Sequence, residues 1–281
     1  MAEYRRRFLS LARQSVLHQL ISGWKRRGSS LLQVGLDAGF SPEFFWEAGF
    51  DVTALDRSGA CLDAARAQTG PRVEYALGSA SLLPFENGAF DYAVLMHHGL
   101  GPKSNPEGES VLSEALRVAA RGIIIMEWNR FSLAGVPQSA HGHWEVPEQE
   151  DACPACGGKA RGVKPWELYA LVRRTCPERC ISLVSALPLW EGSWPDGSSG
   201  LPSALKRLAA PVNLAALPLP FGALVGMRVD WDAVPLTPIG MLKSAAASLC
   251  APAKPQREEV MGRDLCPCEA ERRAEMDGKK R

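Results

Sequence analysis

The segment Leu31-Leu32-Gln33-Val34-Gly35-Leu36-Asp37-Ala38-Gly39 decides the reading of this chain. A short apolar strand, Leu31 to Val34, runs into Gly35, and a second glycine follows at Gly39. Ser41 then stands as an N-cap with Pro42 at the first helical position, which predicts a helix over 41–48. Strand, small-residue turn and helix in that order is the repeating unit of a parallel α/β sheet. Small residues let the backbone turn sharply there and approach a ligand closely.

Working outward, the same rhythm continues. Asp51 to Leu55 reads as a strand, 58–68 as an Ala-rich helix, and Val73 to Leu77 as a third strand. Phe90 to Met96 is a fourth strand, 107–119 a helix, and Gly122 to Trp128 a strongly apolar fifth strand. The alternation predicts an α/β fold with a doubly wound, mostly parallel sheet and ligands at the carboxyl ends of the strands. Upstream, 3–24 reads as an amphipathic helix with Phe8, Leu11, Leu17 and Leu20 or Ile21 roughly on one face. Its basic residues, among them Arg5, Arg6, Arg7 and Arg13, are read as a solvated face in preference to a patch for an anionic partner.

After residue 130 the rhythm weakens. Residues 135–165 read as irregular, 166–175 as a helix, Ile181 to Leu189 as a strand and 191–203 as a loop. A last strand lies within 221–231, where Phe221, Ala223, Val225, Met227 and Val229 are spaced at two. From about 250 the chain mixes both charges with few large apolar residues, the composition of a disordered tail. Three parts follow: an N-terminal helix at 1–29, a main domain at 30–245 with a Cys-containing insertion at about 135–180, and a tail at 246–281.

The net charge of +1 over 281 residues argues against bulk nucleic-acid binding, which needs a strongly basic surface. No apolar run approaches the roughly 20 residues of a membrane span. Arg13, Gln14 and His18 interrupt the apolar stretch from Phe8 to Leu20, so the N-terminus does not read as a signal peptide. The expectation is a cytoplasmic protein, in which eight cysteines are thiols or metal ligands rather than disulfides.

Four signals then line up in order. The glycine turn comes first, and Asp56, at the end of the second strand, comes next. An acid at that place can accept hydrogen bonds from both ribose hydroxyls. Gly78-Ser79-Ala80 follows the third strand, and the fourth ends at Met96-His97-His98. In this order the sequence resembles the class I S-adenosylmethionine-dependent methyltransferases, particularly the small-molecule "type 11" group. The resemblance covers roughly 30–130. It extends to about 245 if Glu-Trp-Asn-Arg-Phe-Ser-Leu at 127–133 matches a segment that some bacterial members carry after the fifth strand.

The resemblance implies a Rossmann-like methyltransferase domain with S-adenosylmethionine as cofactor. The glycine loop, Gly35, Leu36, Asp37 and Gly39, would wrap its methionine part, and Asp56 would hold the ribose. Ser79 and Ala80 would contact adenine, with Arg57 beside it and Met96 or His97 near the methyl group. The chain departs from the family pattern at three places. Gln33 stands where an acid is usual, Asp37 where the middle glycine is usual, and Ser79 where Asp is usual. Asp37 either replaces the missing acid by pairing with the cofactor's amino group, or repels the cofactor carboxylate or removes a close backbone approach.

His97 and His98 are candidate general bases, since imidazole titrates near neutral pH. The competing reading makes them ordinary polar residues of the loop. His141 and His143 read as surface residues. Cys153, Cys156, Cys176 and Cys180 form Cys-x2-Cys-x19-Cys-x3-Cys, close to the spacing of a zinc ribbon. Zinc is a possible second ligand, with free or incidental cysteines as the alternative. The leading functional expectation is methyl transfer to a small or medium-sized acceptor. A non-catalytic binding or scaffold protein on the same fold, with a protein partner, is the second. An NAD-dependent oxidoreductase is the third, although the turn lacks the Gly-x-Gly-x-x-Gly of dinucleotide loops. With Met-His-His-Gly after the fourth strand, the base-amino methyltransferases of nucleic acids are not indicated.

Overall fold

The structure is a computed structural model that describes residues 2–36, 41–98, 100, 107–132, 162–189 and 202–232. Along the chain run α1 (Ala2–Leu20), β1 (Ser30–Val34), α2 (Glu43–Glu47), β2 (Asp51–Asp56), α3 (Gly59–Thr69) and β3 (Glu74–Leu77). Next come β4 (Phe90–Met96), α4 (Gly108–Val118), β5 (Ala119–Trp128) and α5 (Pro165–Thr175). The last elements are β6 (Cys180–Ala186), α6 (Ser203–Leu214) and β7 (Leu224–Asp230). The strands form one seven-stranded sheet in the order β3-β2-β1-β4-β5-β7-β6. It is parallel from β3 to β5, while β7 runs antiparallel to both of its neighbours. This is the doubly wound, mostly parallel sheet that the alternation of elements predicted. The strand order reverses between β1 and β4, and that crevice is where ligands bind in open α/β sheets.

The central strands are apolar on both faces because helices cover both. Ala93, Leu95, Ile123 and Ile125 join the cluster that contains Val111, Leu112 and Ala115 of α4 and Leu168 and Val172 of α5. The alternate residues Val94 and Ile124, equally buried, point to the opposite face. There α1 packs on β6 and β7. A Cβ on Gly226 would come within 2.5 Å of Leu20 Cδ1 and 2.6 Å of Val16 Cγ1, so the glycine is what lets the helix reach the strand.

A buried polar network fixes the end of α1. Arg228 on β7 is fully buried and donates to the carbonyls of Leu20 (2.6 Å) and Ser22 (2.9 Å) and to Asp230 (2.6 Å). Trp24 Nε1 donates to Asp230 at 2.8 Å, and its ring stacks on Tyr92. The last carbonyls of a helix need partners, and a buried guanidinium supplies donors for them.

Two expectations need correction, and one helix went unread. Arg13 does not belong to a solvated face: it is buried, with its guanidinium 5.5 Å from the centre of the Trp128 ring. An arginine can stack on an indole while its stem packs among apolar neighbours. The helix expected from Pro42 begins at Glu43, with Ser41 Oγ still accepting the Glu43 N–H. Helix α6 had no counterpart in the sequence reading, since Pro211 lies inside it and proline argues against a helix interior. Among the described residues no helix is long and apolar enough to cross a membrane.

Candidate functional site

At the carboxyl edge of β1 the chain leaves the sheet through Gly35, whose φ of +85° suits a residue without a Cβ. The turn Val34–Leu36 is held from two sides. On the β2 side, Asp56 Oδ2 accepts the Leu36 N–H at 2.9 Å and Oδ1 accepts the Ser58 N–H at 2.8 Å. Asp56 is 8% exposed, so its carboxylate lies at the rim of the interior rather than in open solvent. Ser58 also caps α3 by accepting the Cys61 N–H, which ties the acid to the start of that helix.

On the β4 side stands His98. Its Nε2 lies 3.0 Å from the Val34 carbonyl oxygen. A carbonyl only accepts, so Nε2 carries the proton and donates. Burial holds the imidazole below its ordinary value. The Val34 hydrogen bond and the Asp56 charge pull the other way, and Arg57 adds to the lowering. His98 is therefore neutral at pH 7, with its Nε2–H committed to the backbone.

Beneath the turn, the fully buried Gln33 donates from Nε2 to the Gly35 carbonyl at 3.2 Å. Its Oε1 is buried with no hydrogen-bond partner among the described residues. A carboxylate in that place would face the Gly35 carbonyl without a proton to offer, whereas an amide has one. The amide at Gln33 is therefore matched by the orientation of the turn.

The other candidates take distinct places. Met96 is buried at the end of β4, its carbonyl oxygen 3.1 Å from where a Gly35 Cβ would lie. Arg57 is exposed. Gly78 follows β3 and donates its N–H to the Asp56 carbonyl at 3.0 Å, which places Ser79 and Ala80 next along the same edge. Ser79 is exposed, with Oγ 3.0 Å from that of Ser81, while Ala80 packs against the core. His97 turns the chain at φ +55° and stacks on Trp128 at 5.4 Å between ring centres. The edge thus gathers Gly35, Leu36, Asp56, Met96 and His98 around one turn. Asp37 and Gly39 lie outside the described residues.

Two contributors had escaped the sequence reading. Ser58 announces itself only as a serine before a helix, a common cap. Glu127, nearly inaccessible on β5, accepts the Leu100 N–H at 3.2 Å and pins the start of the loop after β4. A glutamate in an apolar strand was its signal.

Of the four cysteines weighed for zinc, Cys153 and Cys156 lie outside the described residues, as do His141 and His143. Cys176 Sγ donates to the Val172 carbonyl at 3.0 Å, and burial pushes its thiol up, away from the thiolate that metal binding needs. Cys180 is exposed at the start of β6. Among the described residues no group of three or more His, Cys, Asp or Glu is placed to hold a metal ion.

A family model for a methyltransferase domain matches residues 31–122, the stretch from β1 into β5 that carries this edge. Over that stretch the chain is similar to methyltransferase domains. The chain is 34% identical over 104 residues to a demethylmenaquinone methyltransferase of Renibacterium salmoninarum. That match covers 36% of this chain and 42% of the relative, so the chain spans well under half of the curated protein it resembles. Among solved structures, a SAM-dependent methyltransferase of Thermotoga maritima, a possible histamine N-methyltransferase, superposes with a TM-score of 0.52 at 19% identity. It covers 82% of this chain and 96% of that one, a likeness of fold.

Proposed function

We propose that the chain binds S-adenosylmethionine at the carboxyl edge of β1, β2 and β3 and transfers its methyl group to a small or medium-sized acceptor. The observation that carries this reading is the Asp56 carboxylate, set beside the Gly35 turn with one backbone N–H on each oxygen. Each carboxylate oxygen can accept more than one hydrogen bond, so both retain capacity for a pair of adjacent hydroxyls. Gly35 supplies the left-handed φ of +85° at which the chain turns beside that carboxylate. Gln33 Oε1, buried and unpartnered, is suited to an N–H donor. These residues fit the cofactor.

When bound, the cofactor supplies an electrophilic methyl group on sulfur. The chain's part is to bind and orient, and catalysis arises mainly from proximity and alignment. In this reading His98 positions the turn through its Nε2–H on Val34. The division into an N-terminal helix, a main domain with a late insertion and a tail belongs to the same reading, which does not include zinc.

The neutral amide at Gln33 favours a second reading, a binding protein on a methyltransferase fold. Calorimetric titration with S-adenosylhomocysteine and NAD, followed by a transfer assay with S-adenosylmethionine, separates the two. A ligand at a hundred times its Kd adds about 2.7 kcal/mol of stability, so thermal unfolding reports the same event. We expect a shift with S-adenosylhomocysteine and none with NAD. No response at millimolar S-adenosylhomocysteine overturns the reading, and binding without transfer favours the second.

A further inference from the structure

Neither the fold nor the family resemblance says what holds the Gly35 turn from the β4 side. The contact joins residues 64 positions apart, His98 Nε2 and the Val34 carbonyl. The same ring occupies space at residue 35: a Cβ built on Gly35 would lie 3.0 Å from His98 Nε2 and 3.4 Å from Cε1. Gly35 is therefore needed for its left-handed φ and also for the room it leaves to the imidazole. Val34 is the last residue of β1, and its carbonyl finds this donor beyond the end of the strand. On the other flank Asp56 holds the Leu36 N–H.

We propose that His98 is the positioning residue of the ligand turn: its Nε2–H holds the Val34 carbonyl and its ring seats against Gly35, so the turn keeps its binding shape only while the imidazole is seated there. This rests on the reading of an S-adenosyl ligand at that turn. Among the described residues, the charged groups that act on His98 are Asp56, at the end of β2, and Arg57, the next residue. The other tautomer would set an Nε2 lone pair against the Val34 carbonyl oxygen, two acceptors facing each other. Protonation would set a second cation beside Arg57 on a half-buried ring. The neutral ring is thus the form that fits, and burial favours it.

The test uses the full chain, with His98→Ala and His98→Gln, titrated with S-adenosylhomocysteine from about pH 5.5 to about pH 8, a range that spans imidazole titration. We expect His98→Ala to weaken binding roughly tenfold, the size of one lost hydrogen bond and its packing. His98→Gln, whose amide restores a donor without a titrating group, should recover most of that loss at neutral pH. Wild-type affinity should be level above the ordinary imidazole value and fall in acid, and His98→Gln should lack that fall. Equal affinity of His98→Ala and wild type, or the same pH profile in wild type and His98→Gln, overturns the proposal.

A second readout needs no ligand. Amide exchange at Leu36 should quicken in His98→Ala, and in His98→Gln to a smaller extent if the alanine variant does not fold. Unchanged exchange overturns the role of His98 even where S-adenosylhomocysteine binds. Quickened exchange in a chain that never binds S-adenosylhomocysteine overturns the ligand and leaves the positioning role standing.

Discussion

Asp56 Oδ2 accepts the backbone N–H of Leu36 at 2.9 Å, so the acid at the end of β2 organises the turn at the end of β1. One carboxylate thereby shapes the loop that approaches a ligand and presents its remaining acceptor capacity to that ligand. The two tasks share the same oxygens.

Asp56→Ala should therefore weaken S-adenosylhomocysteine binding more than the loss of a single contact would. Each charge-assisted hydrogen bond is worth about 1.5–3 kcal/mol, or roughly ten- to a hundredfold in affinity. Asp56→Asn keeps one acceptor oxygen but turns an NH2 toward a backbone N–H, so it should fall between alanine and wild type. Calorimetry on the three proteins checks the order, and an asparagine variant weaker than alanine would contradict it.

Arg228 and Asp230 make a second testable pair. Burial pushes the Asp230 carboxyl up, while Trp24 and Arg228 pull it back down. Removing one partner of a buried ion pair costs about 3–5 kcal/mol, because the other charge is left uncompensated. Arg228→Met should lower stability by about that amount at neutral pH, since Asp230 is then ionised without its cation. A carboxyl held above its unfolded value favours the fold in its protonated form. The deficit relative to wild type should therefore shrink as pH falls through the raised Asp230 value and the group takes up its proton. Denaturant unfolding at several pH values checks the trend, and a deficit that grows in acid would refute it.

Glu114 on α4 and Arg117 clamp the segment after β3. Glu114 Oε2 accepts the Leu83 N–H at 2.8 Å, and Arg117 donates to the carbonyls of Leu83 and Phe85 and to Asn87 Oδ1. The Arg117 hydrogen bond is the main reason the Glu114 carboxyl lies below its ordinary value. A lowered carboxyl contributes stability that is complete above the unfolded value and is lost as pH falls through the folded one. Arg117→Met should quicken amide exchange at Leu83 and weaken S-adenosylhomocysteine binding modestly, through the neighbouring Ser79 and Ala80. Exchange unchanged at Leu83 would show that the clamp is not what holds the segment.

Gly226→Ala tests how closely α1 meets the sheet. The added methyl would have to displace Leu20 and Val16, both fully buried. Overpacking of this kind typically costs about 1–3 kcal/mol. Thermal unfolding of the variant should show a lower Tm with the ligand response preserved, because the site lies on other strands. A neutral effect would mean that α1 shifts on the sheet without penalty.

The sequence by itself determined the succession of elements, and with it the fold. Period-two and period-3.6 patterns are local properties, so β4 was legible over Phe90–Met96 and β1, β2 and α5 to within a residue or so. The Gly35 turn and the acid at Asp56 were legible for the same reason: each sits at the end of a readable strand. Tertiary structure alone decided which polar groups would be buried and by what. Once the sheet is ordered β3-β2-β1-β4-β5-β7-β6, β4 lies beside β1, and His98 comes to rest against Gly35. Arg13 stacks on Trp128 because α1 folds across the sheet, and Arg228 is interior because its donors meet the end of that helix. Helix α6 forms despite Pro211, with its fully buried Asn213 bonded to Leu189. Hydrophobic periodicity records which face of an element is covered. It does not record the distant partner that makes a buried charge or amide tolerable, because that partner is chosen by strand order and packing.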